Sequence, residues 1–187
     1  MRTILTTVGT SLLTNLKRDQ AVARPGQQHL VQYLRQTPPE RACAETNSLA
    51  RLVQEEDRII FLHSQTDEGR LCAEALASHY ANRGFGTRLE VADLTYAEER
   101  FKLRGLRSLV ATMIALLRQE RAQRREVLIN ATGGFKAEIA YATLVGLLFD
   151  VPVYYIHEAF RDIIAMPPAP ISWDYTLIAD HDEFFRM

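Results

Sequence analysis

Thr3-Ile4-Leu5-Thr6-Thr7-Val8-Gly9-Thr10-Ser11 and Val127-Leu128-Ile129-Asn130-Ala131-Thr132-Gly133-Gly134-Phe135-Lys136 have the same layout: a short apolar run, then a polar turn carrying glycine. Short runs rich in Val, Ile and Leu predict strands covered on both faces, the mark of a parallel sheet. In such a sheet the ligand crevice lies outside the carboxyl ends of the strands, where backbone N–H groups and a helix N-terminus meet an anion. The two turns therefore predict a phosphate-binding surface. The first offers Gly9, Thr10 and Ser11; the second offers Asn130, Thr132, Gly133, Gly134, Phe135 and Lys136. Neither is a nucleotide fingerprint alone, since one lacks GxGxxG and the other lacks the four-residue gap of a Walker A loop.

Working outward, strands are expected over 3–8, 58–63, 87–92, 127–131 and 151–156, and helices over 27–36, 40–53, 68–83, 101–121 and 136–148. Strands alternating with helices are the signature of βαβ units. Leu71, Ala75, Leu76, His79 and Tyr80 recur at helical spacing, which predicts that this face packs on the sheet. Beyond 156, Pro167, Pro168, Pro170 and Trp173 predict an irregular connection over 163–175 and a short extended piece over 175–178. We expect one domain over 1–178 and an acidic, aromatic tail over 179–187. The chain is then either a complete single-domain protein or the front part of a longer one.

At 187 residues with a formal net charge of −1, the chain can bury a real core but has no global basic field for long nucleic acid. Cys43 and Cys72 have no CxxC partner and predict buried, reduced thiols. No signal-peptide h-region or apolar run of about 18 residues occurs, so a soluble, cytoplasmic protein without membrane contact is expected. His29, His63, His79, His157 and His181 share no HxxxH spacing, and no metal or other cofactor is expected. His157, just past the fifth expected strand, is the histidine nearest the crevice and reads as structural.

Two further segments carry candidate binding groups. Ser64, Gln65 and Thr66 end the second strand on the same sheet edge and are placed to meet a base or ribose, unless Thr66 or Asp67 simply caps the next helix. Arg100, Lys102, Arg104 and Arg107 open the fourth long helix, where cations oppose the macrodipole; Arg104 and Arg107 are spaced to reach phosphates, unless they form a solvated face with Glu98 and Glu99. Each turn also has a bland reading: Gly133 and Gly134 as a strand-to-helix turn, Ser11 as a helix N-cap, Lys136 as a solvated lysine.

Leu5-Thr6-Thr7-Val8-Gly9-Thr10-Ser11-Leu12-Leu13-Thr14-Asn15 resembles the opening of CARF domains, the CRISPR-associated Rossmann-fold sensors of cyclic oligoadenylates. Ile129-Asn130-Ala131-Thr132-Gly133-Gly134-Phe135-Lys136-Ala137-Glu138 resembles their second signature. Ala44-Glu45-Thr46-Asn47-Ser48-Leu49 and Asp67-Glu68-Gly69-Arg70-Leu71-Cys72 resemble segments of the branch that includes standalone ring nucleases. The likeness spans roughly residues 1–175.

This resemblance implies an α/β, Rossmann-like three-layer sandwich with a mainly parallel sheet, acting as a homodimer whose two-fold axis passes through the ligand site. It also implies a cyclic oligoadenylate partner, with the four-membered ring expected because its symmetry matches a two-fold pocket. Some such domains only sense the ring; ring nucleases cut it without a metal, the ribose 2′-OH attacking to leave a 2′,3′-cyclic phosphate. By resemblance, Ser11 and Lys136 fall at the positions that carry activity. A lysine at a helix N-terminus suits the charge that builds on phosphate oxygens during in-line attack. Neither turn offers an obvious general base. Cleavage that switches off type III CRISPR signalling is the expected activity, with a pure sensor serving a larger effector as the rival. A nicotinamide enzyme is disfavoured by the missing GxGxxG and by the lack of an acidic residue about 20 positions on.

Overall fold

A computed structural model describes residues 1–94, 104–157, 160 and 162–168. The elements are β1 (Arg2–Val8), α1 (Ser11–Gln20), α2 (Gln27–Gln36), α3 (Pro39–Ala42), α4 (Ala44–Leu52), β2 (Arg58–Ser64), α5 (Asp67–Ala81), β3 (Gly86–Ala92), α6 (Leu106–Ala122), β4 (Glu126–Asn130), α7 (Lys136–Leu148), β5 (Val153–Tyr155) and β6 (Ile164–Ala165). They build one six-stranded sheet in the order β3-β2-β1-β4-β5-β6. The first five strands run parallel and β6 is antiparallel to β5. This is the α/β, mainly parallel architecture that the alternating pattern predicts.

Side chains alternate across each strand, so the sheet feeds two cores. Ile4, Val8, Ile59 and Phe61 pack with Leu12, Leu30, Leu49, Cys72, Leu76 and Tyr80 from α1, α2, α4 and α5. Leu5, Ile60, Leu62 and Ile129 pack on the other side with Leu109, Met113, Ala142 and Val145 from α6 and α7. Both cysteines are buried free thiols, and burial pushes Cys72 up to about 12 and Cys43 well above its ordinary value.

Four departures from expectation have local causes. The helix expected over 40–53 breaks at Cys43, whose extended backbone (φ −165°) makes it the N-cap of α4, its sulfur accepting the Thr46 N–H. Ser11–Gln20, where the sequence offers a helix only under the reading of Ser11 as an N-cap, is a helix burying Leu12, Leu13 and Leu16. The irregular connection contains β6, whose Ile164 pairs with Tyr155. On α5, Leu71 and His79 are only partly buried, and Cys72 and Ala73 take core positions, rotating the packed face slightly. The expected helix over 101–121 is described from 104, and Arg100, Lys102, Trp173, the 175–178 piece and the 179–187 tail lie outside the described residues.

The amino-terminal end of the sheet is held by charge pairs. Buried Glu120 accepts from Thr3 Oγ1 at 2.7 Å, Arg125 at 2.9 Å and Arg58 at 3.3 Å, while Arg2 pairs with Asp57 at 2.6 Å. Burial pushes the Glu120 carboxyl up, but the Thr3 and Arg125 hydrogen bonds and the charges of Arg58 and Arg125 outweigh it and hold its pKa below the ordinary range. Glu120→Ala should therefore cost about 2–3 kcal/mol, because it leaves two arginines and a buried hydroxyl without their acceptor. Urea unfolding checks this, and a change under about 0.5 kcal/mol, typical of an unremarkable surface site, would contradict it.

Candidate functional site

In the order 3-2-1-4-5 the chain direction of assembly reverses between β1 and β4, and such a switch point opens a crevice at the carboxyl ends. Thr6 lies opposite Asn130 in the β1–β4 register, so the turns that follow leave the sheet side by side. They touch. A Cβ on Gly9 would lie 2.7 Å from the Gly134 nitrogen, closer than real side-chain carbons come to backbone. Thr7 Oγ1 ties them further by donating to the Gly133 carbonyl at 2.5 Å. Gly134 itself adopts φ +105°, which favours glycine.

Val8, Gly9, Thr10, Ser64, Gly134 and Phe135 line a cleft over this junction. Five of these six are candidates from the sequence. Two helix N-termini flank it: α1 begins after Thr10 and α7 after Phe135, and neither N-cap residue supplies a side-chain cap. Their partial positive ends suit an anion. Lys136 is the first residue of α7 and is exposed.

The other candidates sit around this cleft rather than in it. Ser11 is the first helical residue, not the N-cap, and its Oγ accepts the Ala44 N–H at 3.2 Å and donates to Glu45 at 3.4 Å. Asn130 is fully buried, its Oδ1 accepting from Thr132 Oγ1 at 2.9 Å, and Thr132 in turn accepts the Ile156 N–H at 3.3 Å. These two brace the second turn from beneath. Thr66 caps α5, accepting the Gly69 N–H at 3.0 Å, and its hydroxyl lies 2.9 Å from that of Ser64. Gln65 and Thr66 line a neighbouring depression with His63, Ser64, Asp67, Arg70 and Val91. Arg104 and Arg107 are exposed at the start of α6, where Ser108 Oγ accepts the Asp93 N–H beyond the end of β3. The ring of His157 packs 5.1 Å from that of Phe160.

Two carboxyl groups complete the site and were not expected from the sequence. Glu45, with no exposed surface, accepts the Gly9 N–H at 2.7 Å. A Cβ on Gly133 would overlap Glu45 Oε1, and one on Gly134 would overlap Glu138 Oε2. Gly133 and Gly134 thus make room for acids beneath the turns. Glu138 is 3% exposed, and its Oε1 has no hydrogen-bond partner. Burial pushes its pKa up to about 8, the Phe135 backbone hydrogen bond lowers it, and the charge of Glu45 raises it further. At neutral pH it is therefore mainly a neutral acid. Both glutamates lie within the quoted segments 44–49 and 129–138. The signal that finds Glu138 is its place three residues after Phe135, the back-bonding position of a capping box.

The family model for the CRISPR-associated protein Cas_APE2256 matches residues 40–169, and the chain belongs to this family. Among solved structures, protein VC1899 from Vibrio cholerae matches 91% of this chain and 34% of its own, with a TM-score of 0.52 and 11% identity. Enterococcus italicus Csm6, bound to cyclic hexa-2′-fluoro-hexa-dAMP, matches 100% of this chain and 38% of its own, with a TM-score of 0.52 and 12% identity. The chain spans about a third of the length of these two proteins. What it shares with them is the fold. No helix among the described residues is long and apolar enough to cross a membrane.

Glu138 makes stability depend on pH in a defined sense. Its folded pKa is raised, so the fold binds the proton more tightly than the unfolded chain, and stability falls as pH rises from about 4.5 through about 8. The contribution is on the order of 3–5 kcal/mol at 1.36 kcal/mol per unit. Glu138→Gln, neutral at every pH, should gain on the native protein as pH rises across this window. Parallel unfolding curves for the two at pH 5, 6.5 and 8 check it; a pH-independent difference would contradict the assignment.

Proposed function

We propose that the chain binds a cyclic oligoadenylate across a two-fold axis and cleaves it without a metal, the ribose 2′-OH attacking the adjacent phosphorus to leave a 2′,3′-cyclic phosphate. The observation that carries this reading is the junction of the two turns, where the N-termini of α1 and α7, neither capped by the side chain of its N-cap residue, flank a cleft beside Lys136. Family membership and the fold shared with a Csm6 structure that holds a cyclic hexanucleotide analogue support the ligand class. In-line attack needs alignment of a tethered nucleophile and stabilisation of charge on the phosphate oxygens. Helix N-termini and Lys136 supply the second, and the pocket walls supply the first.

One protomer offers half a site. The outward side of α7, a helix that starts at the cleft, exposes Tyr141 and Leu144, 39% and 43% accessible. This side would meet a second copy, placing two clefts around one ring with the four-membered ring as the symmetric fit. In this arrangement Ser64, Gln65 and Thr66 meet bases or riboses, and Arg104 and Arg107 reach the outer phosphates. Leu144→Glu should convert the dimer to monomers on a sizing column and abolish ring binding together with it; monomers that still bind would contradict the shared pocket.

Cyclic tri-, tetra- and hexa-adenylate incubated with the protein in EDTA, with products separated over time, test the chemistry. Linear products ending in 2′,3′-cyclic phosphate are expected. Lys136→Ala should slow cleavage by about 10²- to 10³-fold, the cost of losing one preorganised donor to developing charge, with a smaller effect on binding. A bound but uncut ring would make the chain a sensor, and products ending first in a plain 3′-phosphate would indicate attack by water.

A further inference from the structure

Ser11 is the residue whose role the site leaves most open, since a hydroxyl can either donate to a phosphate or accept from a ribose. It has one proton and two lone pairs. Its proton goes to Glu45 Oε2 and one lone pair takes the Ala44 N–H at the start of α4. One lone pair remains on a partly exposed side chain. Glu45 has no exposed surface and cannot touch a ligand, yet its other oxygen fixes the Gly9 N–H at 2.7 Å, so its orientation is set from both sides.

We propose that Glu45 is a positioning residue that sets the hydrogen-bond polarity of Ser11, making it an acceptor for the ribose 2′-OH and excluding it as a donor to phosphate. The inference rests on the ring-binding reading above and adds to it the general base that neither turn supplies. As the 2′ oxygen bonds to phosphorus, its proton passes to Ser11 Oγ while the Ser11 proton passes to Glu45. The bond from phosphorus to the 5′ oxygen breaks, and that oxygen takes a proton from water. The proton held by Glu45 then returns to solvent through Ser11, restoring the starting state.

Glu45→Gln isolates this polarity with almost no change of shape. The amide oxygen still accepts from Gly9, and the amide nitrogen then donates to Ser11 Oγ, which frees the Ser11 proton. In a Lys136→Ala background, where the ring stays intact, affinities for the natural ring and for its 2′-fluoro analogue are compared. Fluorine removes the hydroxyl donor, so the background protein should prefer the natural ring by about tenfold, the worth of one hydrogen bond. Adding Glu45→Gln should remove that preference, and adding Ser11→Ala, which spares Glu45, should remove it independently. A preference that survives both substitutions, or that is missing in the background protein, overturns the role given to Glu45 and Ser11 while leaving ring binding intact. Failure of the native protein to bind any natural ring overturns the functional reading and this inference together.

Discussion

Gly9 and Gly134 meet where parallel strands β1 and β4 end side by side, and nearly every feature of the site follows from that contact. Strand order puts the two carboxyl ends together; two residues without side chains allow the turns to close on each other. The helices that follow each turn then start within one cleft, with their amino ends facing it. Widening the junction would separate the two helix dipoles and release Thr7 from the Gly133 carbonyl. The opposite end of the sheet is held independently by the charge pairs of Glu120 and Asp57.

For the phosphate ligand proposed above, two carboxyl groups beneath the turns pose an electrostatic problem, and the two glutamates meet it differently. Glu138 is desolvated until it is mainly neutral at physiological pH, which removes its repulsion of an anion at the N-terminus of α7. Glu45 is instead held by hydrogen bonds from the Gly9 N–H and the Ser11 hydroxyl, which fix its carboxyl group beneath the first turn. A buried acid whose proton affinity is shifted in a cleft is the pattern expected of functional positions. The instability it brings at higher pH is the cost of keeping that position acidic.

The fold is legible in the sequence because parallel strands buried on both faces leave continuous apolar runs, and five such runs alternate with helical patterns. Positions 27–36 and 136–148 are helices with the expected bounds, since Gly26, Thr37 and Phe135 change the backbone abruptly at the ends. The α4 break at Cys43 is harder to see, because a cysteine sulfur acting as N-cap leaves no usual Ser, Thr, Asp or Asn signal. The two glycine turns are equally visible as turns that follow strands. What the sequence hides is the layer beneath them. Glu45 lies 36 positions from Gly9 and 88 from Gly133, so only the folded chain reveals that its carboxyl group accepts from the first and occupies the space a side chain on the second would need. Ser11 reads as a possible cap until the structure gives that position to Thr10 and ties the serine hydroxyl to α4.

In the proposed function, one ring is shared between two identical half-sites. Calorimetric titration of cyclic tetra-adenylate into the Lys136→Ala protein measures this directly, because the ring survives the experiment. One ring per two chains, bound in a single event by a dimer, is the predicted result. One ring per chain, or no heat of binding at protein concentrations where the dimer is intact, would contradict it.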